Sequence, residues 1–77
     1  MKVSYLRLKR EQANLTQKHV AKLLNVDKSL ISKVENYKAN LSKQKAQEYC
    51  KILNISYEEY LDAITHKRYF TVKYVEE

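Results

Sequence analysis

Glycine and proline are absent from this 77-residue sequence, so the two residue types that most often mark turns are missing. The turns must then be made by asparagine, aspartate and serine, whose short polar side chains stabilise turn backbone. Asparagine also adopts a left-handed backbone more readily than other non-glycine residues. We therefore expect helix-ending turns among the asparagines, which stand at positions 14, 25, 36, 40 and 54.

Cysteine is nearly absent as well. Cys50 stands alone, which excludes an intramolecular disulfide and suits a reducing cytosol, and its apolar neighbours predict a small core residue. No apolar run approaches the roughly 20 residues that span a bilayer, and the first residues lack the apolar stretch of a signal peptide. We expect a cytoplasmic protein that does not bind a membrane.

Residue patterns that carry catalysis are also missing. The sequence has no nucleophile paired with a base, no paired carboxylates in an apolar setting and no glycine-rich phosphate loop. His19 and His66 stand apart from each other, without the cysteine or acidic neighbours that metal sites use. We expect no enzyme activity, no metal, no cofactor and no small-molecule ligand.

The charge is unevenly distributed along the chain. The net charge is +6, but residues 1–45 contain eleven Lys and Arg against three Asp and Glu, whereas residues 46–77 contain four against six. A chain of this length forms one domain with a small core. Its positive half suits a polyanionic partner, and the alternative is a solvated surface that only maintains solubility.

Apolar spacing and capping residues predict five helices. The first covers about 3–13 and is closed by Asn14, the second is capped by Thr16 and ended by Asn25, and the third is capped by Asp27.

Two later segments complete the helical pattern. Ser42 caps a fourth helix, and "SYEE" at 56–59 is a capping box that opens a fifth helix ending near Ile64. The segment "RYFTVKYVE" that follows is rich in aromatic and β-branched residues, which favour a strand. The backbone of a single strand needs a partner strand for its hydrogen bonds. No second strand-like segment is visible earlier in the chain.

The stretch "TQKHVAKLLNVDKSLISKVEN", residues 16–36, places two helices unusually close together. It resembles the helix-turn-helix of the phage-repressor and Cro type (the XRE family), and the resemblance extends from about Leu6 to Leu61. The matching residues are "LTQ" at 15–17, Ala21, Asn25-Val26, Ile31, Val34 and "EN" at 35–36. The resemblance implies an all-α, five-helix, lambda-repressor-like DNA-binding domain at 1–65, with a C-terminal strand tail at 66–77.

The sequence departs from the family pattern at three points. Asn25 stands where the family usually has glycine, "ENY" replaces the common "ENG", and Leu41 lies near a usual proline. We expect Asn25 and Asn36 to supply the backbone geometry that glycine would give. The resemblance also implies a partly buried ion pair between Arg10 and Glu35.

The resemblance assigns DNA contacts to particular side chains. The expected base-reading residues lie on the outer face of the third helix: Lys28, Ser29, Ser32 and Lys33. The expected phosphate contacts are Gln17, Asn36, Lys38 and Lys43. Asp27 is foremost a helix cap, with a contact to a cytosine amine as the alternative. Tyr37 is a further candidate for a sugar-phosphate contact.

These features predict a transcriptional regulator, a repressor, that binds double-stranded DNA as a homodimer on a palindromic operator. The recognition helix covers about 27–35. Two C-terminal strands would pair across the two-fold axis and bury Phe70, Val72 and Tyr74; in the alternative, the tail folds back onto its own domain or stays mobile. A rival function is a protein-interaction module, such as an antitoxin that binds its partner through the tail. RNA binding is a further alternative.

Overall fold

Five short helices and one two-stranded sheet make up the computed structural model, which describes residues 2–71. The elements, in chain order, are β1 (Lys2–Ser4), α1 (Tyr5–Gln12), α2 (Gln17–Leu24), α3 (Lys28–Glu35), α4 (Lys43–Leu53), α5 (Tyr57–His66) and β2 (Tyr69–Thr71). The prediction of an all-α, five-helix domain is confirmed. No helix within residues 2–71 combines the length and the apolar character needed to cross a membrane.

Each helix begins at a side chain that accepts a hydrogen bond from a backbone N–H of the first turn. The sequence predicted four of these caps, and the structure confirms them: Thr16, Asp27, Ser42 and Ser56. The fifth is Ser4, whose hydroxyl accepts from the Arg7 amide at 3.1 Å. Because Ser4 caps α1, the first helix begins at Tyr5 rather than near residue 3 as predicted.

Asparagine occupies the left-handed position after three of the five helices, α1, α2 and α4, whereas Lys67 occupies it after α5. Asn14, Asn25 and Asn54 have φ angles of 58°, 56° and 58°, in the left-handed region. The prediction for Asn36 was wrong, because its φ is −93° and the left-handed residue is its neighbour Tyr37, with φ 57°. The amide of Asn36 instead donates to the carbonyl of Ser32 at 2.8 Å, so this side chain closes the helix.

The core forms where α2 and α3 cross, with α4 packed on α2 and with α5 packed on α4 and α1. Ala21 of α2 is small and buried, which lets the two helices approach closely, and its carbonyl accepts a 2.9 Å hydrogen bond from Val26 in the turn. The apolar faces predicted for these helices are buried together with Cys50 and the rings of Tyr49 and Tyr60. The polar face of α3 is therefore directed away from the core.

The two ends of the described chain meet in a small antiparallel sheet. β1 pairs with β2 in the register Lys2↔Thr71, Val3↔Phe70 and Ser4↔Tyr69. The expectation that no earlier segment would pair with the C-terminal strand was wrong, because a three-residue strand is too short to show a period in sequence. For residues 69–71 the structure shows the alternative, a tail folded back onto its own domain; Val72 and Tyr74 lie outside the described residues.

Candidate nucleic-acid interface

The outer face of α3 presents polar side chains to solvent. Lys28, Ser29 and Lys33 are exposed and Ser32 is partly exposed, while Ile31 and Val34 on the opposite face are buried. These four polar residues are the predicted base-reading set, and none of them is packed inside. An exposed helix face with its apolar side held by the core is the geometry that a major groove accepts.

The start of α3 is held by Asp27. Its carboxylate accepts from the Ser29 amide at 2.8 Å, as a helix cap does. The hydrogen bonds from the Ser29 backbone and side chain lower the pKa of Asp27. The capping prediction is confirmed, and the carboxylate is engaged at the helix end next to Lys28.

The end of α3 is held by an ion pair with α1. The Arg10 guanidinium donates to both Glu35 carboxylate oxygens, from Nε at 2.5 Å and from Nη2 at 3.3 Å, and Nη1 donates to the Leu15 carbonyl at 2.7 Å. Both charged side chains are buried. Since the two contacts to Glu35 are bidentate, this pair fixes the orientation of α3 relative to α1 as well as their separation.

Gln17 completes this cluster at the start of α2. Its side-chain amide donates to Glu35 Oε1 at 3.0 Å. An amide nitrogen carries two hydrogens, so one N–H remains for a second acceptor. The sequence assigned Gln17 to a phosphate only; in the structure it also links α2 to the anchored end of α3.

A basic groove runs between the helix-turn-helix and the terminal sheet, with a volume of about 540 Å³. Four of the predicted DNA-contacting residues line it: Gln17, Lys28, Ser32 and Asn36. Its other charged lining residues are Lys2, Arg7, Arg10, Lys18 and Glu35. Because Arg10 and Glu35 neutralise each other, the groove has an excess of positive charge and favours an anion.

The remaining predicted contacts lie outside this groove lining. They are Ser29, Lys33, Lys38 and Lys43, all of which are exposed. Their positions on or just beyond α3 and at the first residue of α4 leave them accessible to a larger ligand than the groove alone would hold.

Tyr37 has a structural role that was not predicted from the sequence: it connects α1 to the chain around β2. Its hydroxyl donates to the Arg68 carbonyl at 2.7 Å and accepts from the Tyr5 amide at 3.2 Å, and its ring meets Tyr69 edge-on at 5.4 Å. The hydroxyl is therefore engaged at the junction of α1 with β2, and a DNA contact by Tyr37 gains no support from this geometry.

Sequence reasoning missed the second wall of the basic groove, formed by Lys2, Arg7 and Tyr69. Lys2 and Arg7 were visible only as part of the positive charge of residues 1–45. Tyr69 was visible only as one aromatic residue of the predicted C-terminal strand. Their convergence depends on the pairing of β1 with β2, for which the sequence offered no indication.

Within residues 2–71, no group of three or more His, Cys, Asp or Glu side chains is placed to hold a metal ion. A helix-turn-helix family model matches residues 6–60, more than two thirds of the chain. No curated protein matches the chain.

Proposed function

The chain belongs to the helix-turn-helix family of the phage-repressor and Cro type, and from this premise we propose that it represses transcription as a dimer bound to a palindromic operator. Sequence-specific DNA binding by a transcription regulator is the function that the family supports. Repression, the dimer and the symmetry of the operator are our additions. A DNA ligand also implies a location beside DNA, which we propose is the cytoplasm of a bacterium or phage-infected cell.

The observation that carries the proposal is the exposed polar face of α3 on a helix held at both ends. Lys28 at the start of this face would donate to guanine O6 and N7, and Ser29 would serve either base class. Ser32 and Lys33 lie one turn further on and would read or flank the next bases. Because the Asp27 cap and the Glu35 ion pair fix the helix, the backbone that carries these side chains is positioned before DNA arrives.

Phosphate contacts would set the register of α3 in the groove. The free amide hydrogen of Gln17, near the positive end of α2, suits a phosphate oxygen. Asn36, Lys38 and Lys43 are exposed beyond the recognition helix and would hold the backbone there. These four residues supply affinity, whereas the face of α3 supplies sequence preference.

A dimer would extend the small DNA footprint of a single recognition helix. Half-sites read by a two-fold dimer lie about 34 Å apart, one turn of DNA. Within residues 2–71, β2 pairs with β1 on one edge only, and Phe70 is 39% exposed beside Tyr5. We propose that the segment 66–77 forms the dimer contact through Phe70, together with Val72 and Tyr74.

Selection of binding sites from random duplex DNA tests the central proposal. We expect the selected sequence to be palindromic, and we expect the wild-type protein to bind it in preference to random duplex DNA and to RNA of the same sequence. Joint replacement of Lys28, Ser29, Ser32 and Lys33 by alanine should reduce this affinity to the non-specific level. Unchanged affinity in a folded variant would contradict the proposal.

The dimer has a separate test. Deleting residues 66–77 should convert the dimer to a monomer in light scattering, but this deletion also removes β2. Phe70→Glu keeps the backbone and places a charge at the proposed contact, so it should give the same change of molar mass with unchanged helix content by circular dichroism. A dimer that survives both changes would refute the contact.

A second candidate function is protein binding through the tail, as in an antitoxin. The observation that favours it is the exposed aromatic pair Tyr69 and Phe70 on a strand with one edge unpaired within the described residues. Salt dependence separates the two functions. Binding to DNA through several lysines weakens steeply as salt rises, whereas an apolar protein interface does not.

A further inference from the structure

We propose that the DNA footprint extends beyond the helix-turn-helix onto the terminal sheet, where Lys2 and Tyr69 bind a backbone phosphate of the same duplex. This inference rests on the proposed function and deepens it, because it adds contacting residues to that site. Both residues lie outside the family match, which covers residues 6–60. They are therefore a property of this chain and not of the shared helix-turn-helix.

The register of the sheet places the two side chains together. Side chains alternate between the faces of a strand, and Ser4 is directly opposite Tyr69. Lys2, Ser4 and Tyr69 consequently share one face, and all three line the basic groove. On the other face, Phe70 packs against Tyr5 with ring centroids 5.9 Å apart. The sheet thus presents Lys2 and Tyr69 to the groove from one face, and Val3 of the other face also contributes to the groove lining.

The basic groove joins this sheet face to the recognition helix. Its opposite wall contains Lys28 and Ser32 of α3 and Asn36 just beyond it, all predicted DNA contacts. A duplex that contacts these residues also approaches the sheet wall, because one continuous concavity separates the two. Occupation of the groove by DNA backbone would bring Lys2 and Tyr69 to a phosphate next to the bases read by α3.

The charges of the groove suit a phosphate. Lys2 is an exposed cation at one end, and Lys18 and Lys28 are exposed cations on the helix-turn-helix side. Glu35, the one acidic residue among those lining the groove in the described chain, is buried and paired with Arg10. A phosphate in the groove therefore meets cations without facing an unpaired carboxylate.

Tyr69 is held in position by Tyr37, which lies just beyond the recognition helix. Its ring packs edge-on against Tyr37, whose hydroxyl is bonded to the Tyr5 amide and the Arg68 carbonyl. Because Tyr37 lies two residues after the last residue of α3, it links the position of Tyr69 to that of the recognition helix. The Tyr69 hydroxyl is a neutral donor suited to a phosphate oxygen.

The test measures affinity for the selected operator as a function of salt concentration, by fluorescence anisotropy. Lys2→Gln removes one phosphate contact in each subunit, two in the dimer, so the slope of log K against log salt should fall in magnitude by about 1.8, and affinity should fall about thirtyfold at 0.15 M salt. Lys2→Arg keeps the charge and should retain the slope. Tyr69→Phe removes a neutral donor, so it should weaken binding without changing the slope.

Lys51→Gln is the matched control, because Lys51 is an exposed lysine on α4 that lines a different pocket with Gln47 and Ile55. It should leave affinity and slope unchanged. Thermal unfolding verifies that the helical core of each variant is folded, and hydrogen exchange at the β1 and β2 amides verifies that the sheet is intact. Ethylation interference gives a second measurement: the wild type should show a sensitive phosphate next to the half-site that Lys2→Gln loses.

Two failures are distinguishable. If Lys2→Gln behaves like Lys51→Gln while the alanine variant of α3 loses operator binding, the extended footprint is wrong and the proposed function stands. If the wild type selects no duplex sequence, the proposed function itself fails. A groove that binds a small anion instead, with operator affinity unaffected by Lys2→Gln, would also overturn the extended footprint.

Discussion

The helix-turn-helix and the terminal sheet are built from opposite kinds of contact. α2 and α3 are neighbours in sequence, each opened by its own cap and separated by a turn that begins at Asn25. β1 and β2 stand at opposite ends of the described chain, and each is only three residues long. The first unit is specified by local patterns, whereas the second exists only because the helices between its strands bring them together.

This difference shows how the site is assembled. The recognition face needs only helix periodicity and caps, which are properties of a single segment. The basic groove beside it needs the sheet, and closing so long a loop of chain costs entropy that only the completed core offsets. Substitutions in the helix-turn-helix should therefore destabilise the whole domain, whereas substitutions in the sheet should destabilise only the two ends of the described chain.

Replacing Glu35 should have the largest effect. Glu35→Ala leaves the buried Arg10 guanidinium without its carboxylate and should cost about 3–5 kcal/mol in the free energy of unfolding. Denaturant unfolding followed by circular dichroism measures this. Glu48→Ala is the control, because its ion pair with Lys45 is 4.0 Å long and exposed, so the loss should be below about 0.5 kcal/mol. Equal losses in the two variants would contradict the anchoring role.

Substitution of Asn25 tests whether the turn between α2 and α3 depends on the left-handed backbone at this position. Asn25→Ala places a Cβ without a stabilising polar group at φ 56° and should cost roughly 1 kcal/mol, because alanine is unfavourable in the left-handed region. Asn25→Gly has no such penalty and should stay close to the wild type. Thermal unfolding compares the two, and equal melting temperatures would show that the turn does not depend on this residue.

Substitution of Tyr37 tests whether the terminal sheet can be destabilised separately from the helix-turn-helix. Tyr37→Phe removes the hydroxyl that joins the Tyr5 amide to the Arg68 carbonyl and should cost about 0.5–1.5 kcal/mol. We expect faster hydrogen exchange at the amides of β1 and β2, with α2 unchanged. Tyr57→Phe, in the ring stack with Tyr60, is the control. Faster exchange spread evenly over all helices would mean that the two regions are not separable.

The Asp27 cap predicts the smallest effect, and it depends on pH. Hydrogen bonds from Ser29 lower the pKa of Asp27 below its ordinary 3.8, so its stabilisation is present above that pH and is lost as the pH falls through the folded-state pKa. Asp27→Asn retains a capping oxygen that does not titrate. A plot of melting temperature against pH should be less steep for this variant in acid, and identical slopes would contradict the contribution.

Much of the helical part could be predicted because its determinants are adjacent in sequence. Thr16, Asp27 and Ser42 cap helices by bonding their own first turns, and the apolar spacing around Ala21 identifies the helix crossing. Asn36 and Tyr37 show the limit of this reasoning. Both residues are compatible with several turn geometries, and the choice between them was made by bonds from Tyr37 to distant parts of the chain.

The sequence by itself determined the five helices, four of their five N-caps and the polar face of α3, because each depends on residues within a few positions of one another. Only the tertiary structure decided that Lys2 and Tyr69 would face the recognition helix across one groove. Strands of three residues carry too little pattern to be recognised alone, and their pairing is stable only after the helical core has brought the two ends together.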